Sequence, residues 1–242
     1  ADQVACFSPD ACEGLMAENI LVDENTSFLA SNAVEGLRAE QIERIPETAM
    51  EGFSPDHIQQ LQPQACEGFS AFHLNNLPSE SFGEFDATQI ECMDPASFVC
   101  DGIGTHLSEL SPEAFDGLMP DQVNCMPVHA FADCSGDQIG GLDPMACNGM
   151  NHMHIEHMTP MGVGGFTGAQ IAHMEPGVCT GFTLEQIPQL SMDVLQNLPL
   201  EHCEAFAPDV LPGFTEEQVK AFDIDQKASF RVGLAGLEPS NP

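Results

Sequence analysis

The chain has 242 residues, of which 38 are acidic and 5 are basic, so its formal net charge at pH 7 is −33. A surface this anionic repels nucleic acid and anionic membranes, and it attracts divalent cations and basic partners. Hydrophobic residues make up 43% of the chain, which is enough to build a core and excludes wholesale disorder. No apolar run approaches the ~20 residues that a membrane-spanning helix needs.

The first residues, ADQVAC, resemble a mature N-terminus left by signal-peptide cleavage. The cysteines number 10, an even count, and none lies in a Cys-x-x-Cys motif. Together with the acidity, these features predict a secreted, extracellular or cell-surface protein in an oxidising compartment. Asn25-Thr26-Ser27 matches the acceptor pattern for N-glycosylation.

Residues 1–230 form one tandem array of roughly 29 eight-residue units, and we expect them to fold as a single repeat domain. Two kinds of octad alternate, one resembling S-P-E-A-F-x-G-L and the other T-x-x-Q-I-x-x-L; we letter the positions a to h. The register has defects at 16–29, which is about two residues short of a pair, and at 94–102, which has one extra residue. Residues 231–242 lose the pattern and are predicted to be a C-terminal cap or tail.

The octads with Gln at position d have the spacing of a helical capping box, in which Ser or Thr at a precedes Gln by three residues. Thr183 with Gln186, Ser135 with Gln138, and Thr215 with Gln218 show it. The other octads have Pro at b, the first helical position, and Gly at g, where we expect the chain to turn out of the helix. The prolines and glycines concerned are Pro112, Pro144, Pro160 and Pro176, and Gly117, Gly149, Gly165, Gly181 and Gly213.

Positions e and h are apolar and three residues apart, so they share one face of a helix. Each octad is therefore predicted to be a helix of one to two turns. Such a helix is unstable alone, and stacking many of them buries the e and h side chains. We predict an all-α solenoid or superhelix of very short helices. The alternative is a β-solenoid. The octads argue against it because they lack both the period-two alternation and the β-branched residues that are typical of strands.

Neighbouring cysteines along the chain suggest disulfides, for which Cα atoms must lie within roughly 7 Å. If Cys66/Cys92, Cys100/Cys125 and Cys179/Cys203 are bonded, octads three apart are stacked and one superhelical turn holds three octads. The alternative is that cysteines at position e are small core residues. The candidates are Cys6, Cys12, Cys66, Cys92, Cys100, Cys125, Cys134, Cys147, Cys179 and Cys203.

The octad NHMHIEHM at 151–158 is rich in histidine, and His173 follows two octads later. His152, His154, His157 and His173 are candidate ligands, with copper favoured by imidazole and thioether and zinc by imidazole and carboxylate. The alternative is structural. His57, His73, His106, His154 and His202 all occupy position d, where histidine can replace glutamine beside the helix cap.

Carboxylates are concentrated in the first turns of octads, where the helix dipole stabilises them. Repeated along an edge of the array, they would bind Ca²⁺ weakly at many points, although no EF-hand spacing is present. We found no phosphate-binding loop, no Gly-x-Ser-x-Gly and no His-Glu-x-x-His, so we expect no catalytic residues and no enzyme activity. Lys220, Lys227 and Arg231 concentrate positive charge near the C-terminus, which indicates either an end cap or a basic end that docks on another copy.

Units such as FTLEQIPQL and FTEEQVKAF resemble the L-T-x-E-Q-I-x-x-L tandem repeats of secreted and surface-exposed microbial proteins. The chain departs from the simplest such arrays in its alternating glycine-containing octad and its many cysteines. The resemblance implies no catalytic residues. We expect an extracellular structural protein, a subunit or sheath of a surface filament, matrix or coat, that self-associates or binds another matrix protein. The alternative is a secreted metal-binding protein, either a calcium-dependent adhesin or a copper or zinc binder near 152–173.

Overall fold

A computed structural model of the chain describes residues 8–16, 31–100 and 102–230. Cys6, the Asn25 glycosylation site, most of the predicted defect at 16–29 and the tail 231–242 lie outside the described residues. The described part consists of short helices joined by extended residues and contains no β-strand. The all-α prediction is therefore confirmed, and the β-solenoid alternative is wrong. No helix in this part has the length and apolarity needed to cross a bilayer.

Helices of two kinds make up the array. The α-helices are Pro9–Cys12, Ala39–Ile42, Pro55–Gln60, Ala71–Asn76, Ser79–Phe82, Ala87–Glu91, Ile103–Glu109, Pro120–Cys125, Gly136–Gly140, His152–His157, Pro160–Val163, Gly168–His173, Met192–Asn197, Leu200–Ala205, Glu216–Ala221 and Ile224–Ser229. The 3₁₀-helices are Ser31–Gly36, Glu47–Gly52, Pro63–Gly68, Pro95–Val99, Ala114–Gly117, Ala146–Gly149, Pro176–Gly181, Ile187–Gln189 and Leu211–Gly213.

The residue at position d separates the two kinds of helix. With one exception, Ile187–Gln189, octads with Gln or His at d form α-helices, whereas most octads with a small residue or valine there form 3₁₀-helices. Capping boxes at Ser135/Gln138 and Thr215/Gln218 are present as predicted. Between residues 31 and 230, the apolar side chains at e and h, such as Phe115 and Leu118, are buried, and the exception at e is the partly exposed Lys227. The octad is therefore the folding unit that its sequence predicts.

Helix packing follows a single rule from residue 31 to residue 230. All the substantial contacts join octads that are three units apart; Pro120–Cys125, for example, packs on Pro95–Val99 before it and Ala146–Gly149 after it. The contacts thus join octads three apart, the separation that the cysteine spacing suggested for stacked neighbours. Because the two octad types alternate and three is an odd number, each octad with Gln or His at d packs, almost throughout, on octads of the other type.

The glycines at position g correct one prediction. None of them has the left-handed φ that a helix-terminating glycine often adopts. Instead, a Cβ at g would overlap the backbone carbonyl at b of the octad three units earlier: at Gly117 it would meet Ala87 and at Gly181 it would meet His152. Glycine is needed here because two backbones approach closely, and the chain leaves the helix through an extended residue such as Leu118 or Phe182.

Replacing Gly181 with alanine should therefore destabilise the fold. The new methyl group would force the helix Pro176–Gly181 away from His152, and we expect a loss of about 1–3 kcal/mol in the free energy of unfolding. Gly177 in the same helix is the matched control, because a Cβ there meets nothing within 4 Å. Chemical denaturation of Gly181→Ala and Gly177→Ala measures the difference, and equal stabilities would contradict the close-approach explanation.

Candidate functional site

The most regular polar feature of the molecule is a buried row of glutamines at position d, which we call the glutamine ladder. Each side chain is buried and bonds at both ends, to its own octad and to an octad four units earlier. Its members with both sets of bonds described are Gln89, Gln122, Gln138, Gln170, Gln186, Gln218 and Gln226.

Gln186 shows the geometry. Its Oε1 accepts a hydrogen bond from the backbone N–H of Thr183 at 2.8 Å, which caps the N-terminus of its own octad. Its Nε2 donates to the carbonyl oxygens of Ile155 at 2.7 Å and Met158 at 2.8 Å. These carbonyls belong to positions e and h, at the C-terminal end of a helix: that of Ile155 also accepts from the N–H of Met158, whereas that of Met158 lies beyond the last helical residue. One amide thus satisfies three backbone groups.

Histidine at d takes the same place. The Nδ1 of His73 accepts from the backbone N–H of Ser70 at 3.2 Å, and its Nε2 lies 2.8 Å from the carbonyl oxygen of Ile45. His154 repeats the arrangement with the N–H of Asn151 and the carbonyl of Met126. The structural interpretation of the d-position histidines is therefore confirmed for these two. Burial lowers the pKa of His154, and of His106 in the same position.

Two of these histidines have an Nδ1 atom with no hydrogen-bond partner, His106 and His202. The cause lies at position a in both octads. Pro199 precedes His202 by three residues and has no N–H to donate. Ile103 precedes His106, and its N–H bonds instead to the carbonyl of Cys100, because the extra residue of 94–102 shifts the chain there.

Replacing Gln186 with leucine should break one rung of the ladder. Two buried carbonyls and one N–H would each lose a hydrogen bond, and we expect the free energy of unfolding to fall by about 2–4 kcal/mol. Gln186→His should lie between the wild type and Gln186→Leu, since imidazole replaces two of the three bonds. Gln189, exposed in the same octad, is the control: Gln189→Leu should leave the denaturation midpoint nearly unchanged. A Gln186→Leu protein as stable as this control would show that the ladder contributes little.

The four histidines predicted as metal ligands are not brought together. His154 is buried with both ring nitrogens engaged by backbone groups. His152, His157 and His173 are exposed, and the Nδ1 atoms of the latter two bond to carbonyls within their own helices. Among the residues that the structure describes, no three His, Cys, Asp or Glu side chains are grouped to hold an ion. The described residues therefore do not form a copper or zinc site at these four histidines.

The cysteine prediction is also corrected. No disulfide joins any two cysteines of the described ranges, and the following are thiols: Cys12, Cys66, Cys92, Cys125, Cys134, Cys147, Cys179 and Cys203. Cys66 and Cys92 are nevertheless near enough for each to influence the charge of the other, as are Cys179 and Cys203. The cysteines of each of these pairs lie in octads three apart. Four of the thiols fill core position e, namely Cys66, Cys147, Cys179 and Cys203.

Burial makes most of these thiols poor nucleophiles. It raises the pKa of the Cys66 thiol well above its ordinary value, with smaller contributions from Cys92 and Asp86. It also raises the pKa to about 12 for the following thiols: Cys134, Cys147, Cys179 and Cys203. A thiol reacts as its thiolate, so these groups are inert at neutral pH.

Alkylation of the native protein with iodoacetamide at neutral pH should therefore be selective. We expect Cys125, which is only half-buried, to be modified first, and Cys147 and Cys179 to react only after unfolding. Peptide mass spectrometry of the native and the denatured protein measures the difference. An intact mass lower by two hydrogens per bonded pair, without reduction, would instead establish the disulfides.

The carboxylates lie on the surface and mostly lack a cationic partner. Within the described residues, the ion pairs are Arg44 with Glu13 at 2.9 Å and Lys220 with Glu216 at 3.7 Å. Some carboxylates cap helices: Asp86 accepts from the N–H of Gln89 at 2.8 Å. An open recess towards the N-terminal end of the array is lined by four carboxylates, namely Glu40, Glu43, Glu67 and Asp94.

Sequence reasoning missed the second half of the ladder, the reach of each d side chain to another octad. The signal was available: in a chain with 38 acidic residues, no octad between 31 and 230 has Glu or Asp at d. A capping box accepts Glu as readily as Gln, so the restriction to Gln and His indicates that position d must also donate a hydrogen bond. Neither a scan of protein-family models nor a search of curated proteins finds a match to this chain.

Proposed function

We propose that this protein is a non-enzymatic structural protein whose octads wind into a three-sided solenoid with an anionic surface. The observation that carries the proposal is the packing rule: contacts join octads three units apart, so each new octad extends the array at its end. Residues 30–230 contain 25 octads. At three per turn and a helix spacing of about 8–10 Å they give a rod of roughly 65–85 Å.

In the part of the chain that the structure describes, side chains fill the interior of such a rod. The ladder satisfies the buried backbone groups and the e and h side chains fill the space between the helices. The recesses on the described surface are open depressions between octads. Function is therefore expected from the outer surface, which presents unpaired carboxylates at a repeated spacing. This supports a role as a subunit or sheath of an extracellular filament, matrix or coat, with a basic protein or a cation-bridged second copy as partner.

The calcium-dependent adhesin is the second candidate, and the recess with Glu40, Glu43, Glu67 and Asp94 favours it. Isothermal titration calorimetry with Ca²⁺ tests this candidate, and a titration with Mg²⁺ at equal ionic strength is the comparison. The variant Glu40→Gln/Glu67→Gln is compared with Glu185→Gln, which removes an exposed carboxylate elsewhere on the array. Loss of Ca²⁺ heat in the first variant alone would support a local site; equal losses would indicate diffuse screening.

The shape and assembly of the protein test the structural role directly. Small-angle X-ray scattering should give the profile of a rod, and light scattering after size exclusion should show assembly that increases with protein concentration and with divalent cations. A compact globular profile would contradict the solenoid. A strict monomer at high concentration, with and without Ca²⁺, would contradict the filament role and leave the solenoid standing.

The net charge of −33 predicts that salt stabilises the fold. Mutual repulsion among the carboxylates opposes the compact state, and monovalent salt screens it, since the Debye length falls from ~30 Å at 0.01 M to ~10 Å at 0.1 M. We expect the midpoint of thermal unfolding to rise by several degrees between these two NaCl concentrations. Circular dichroism measures it, and a midpoint that is constant or falls would show that repulsion does not limit stability.

A further inference from the structure

Three of the buried d-position histidines close the N-terminus of their octad with a hydrogen bond that only a neutral imidazole can make. The Nδ1 of His57 accepts from the N–H of Ser54 at 3.0 Å, and that of His73 accepts from the N–H of Ser70 at 3.2 Å. His154 accepts from the N–H of Asn151 at 3.2 Å. In each ring the proton must therefore reside on Nε2.

We propose that His57, His73 and His154 form an acid-sensitive latch, in which protonation of Nδ1 opens the helix cap and frees the octad from the array. An imidazolium has N–H groups at both ring nitrogens. Its Nδ1–H would face a backbone N–H, and that N–H would lose its acceptor. At His57 the Ser54 hydroxyl, 2.8 Å from Nδ1, can accept from the new N–H, but the backbone N–H of Ser54 still loses its bond. Glutamine at the equivalent positions does not titrate, and octads with glutamine stay closed under the same conditions.

Burial strengthens this effect. The three side chains are 0%, 3% and 0% exposed, and a charge there would be separated from water. For His154 the lowered pKa in the folded state means that the unfolded chain binds more protons below about pH 6.5, so the fold loses stability as the pH falls. One pH unit below that value, the need to keep His154 neutral raises the unfolding equilibrium constant by up to about tenfold.

The charged groups around the latch lie at the surface. Glu43 and Glu47 line the same recess as His73. The helices that pack on the octads of His57 and His154 add further titratable groups, and His157 on its own helix lowers the pKa of His154. Around His57 the groups on the packed elements are Glu35, Asp56, Glu80 and Glu84. Around His73 they are Glu40, Arg44, Glu51 and Asp94. Around His154 they are Asp121, Cys125, His129, Asp133, Cys134, His152, Glu156, Glu175 and Cys179. Exposed carboxylates attract an imidazolium that has moved out to solvent, so they stabilise the open state of the latch.

His202 provides an internal control. It occupies the same buried position, and its Nε2 lies 3.0 Å from the carbonyl of Met174, but Pro199 gives its Nδ1 no N–H to accept. Protonation of His202 therefore breaks no cap. The variant His202→Gln makes the same chemical change at the same octad position without altering a latch.

The test is urea denaturation at about pH 7.5 and pH 5.5, at fixed ionic strength, of the wild type and His57→Gln/His73→Gln/His154→Gln. We expect similar stability at the higher pH. At the lower pH the unfolding constant of the wild type should rise about tenfold more than that of the triple variant. The latch is refuted if the two proteins share one pH dependence, or if His202→Gln alone removes as much of it as each latch substitution.

Hydrogen exchange of the wild type gives a second readout that needs no variant. After correction for the intrinsic pH dependence of exchange, the amides of 70–77 and 151–158 should lose protection at about pH 5.5, whereas those of the glutamine octad 183–190 should keep it. Equal changes in all three segments would overturn the proposal even if the triple variant failed to fold. Neither experiment depends on the structural role proposed above.

Discussion

Backbone hydrogen bonding at helix ends is the constraint on which this structure depends. An α-helix leaves its first four N–H groups and its last four carbonyls without intrahelical partners. In helices of four to six residues, such as Ala39–Ile42 and Gly168–His173, these groups make up most of the backbone. Burying them unsatisfied would cost more than the apolar contacts return. The ladder solves the problem because one amide both accepts from its own helix and donates to a neighbouring helix end.

This double demand explains which residues occupy position d. Glutamine has an acceptor oxygen and two N–H donors, whereas neutral histidine has one acceptor and one donor. Aspartate and glutamate have acceptors only, and their charge would be buried. The helices with a small residue at d form the other half of the packing. Ser81 there makes a single bond to the carbonyl of Phe53, and alanine makes none.

Much of the fold could be predicted because it follows from local chemistry. Capping spacing, the e and h pattern and the three-octad separation of Cys179 and Cys203 each depend on a few neighbouring residues or a regular count. The errors arose where distant backbones meet. The reason for Gly181 is the carbonyl of His152, which is three octads away, and nothing near Gly181 in the sequence identifies it. The same applies to Gln186 and the carbonyl of Ile155. Even cysteine counts, in turn, do not distinguish a bonded pair from core thiols.

The odd number of octads between packed neighbours has a consequence for how such an array can change its length. Inserting or deleting one octad would place like types against each other in every contact that spans the change, glycine against glycine and ladder side chain against ladder side chain. In the proposed three-sided solenoid, a pair of octads would preserve the alternation but move all later residues to a different side. Only a block of six octads restores both type and side, so six is the unit by which gene duplication can lengthen this protein while each surface residue keeps its orientation.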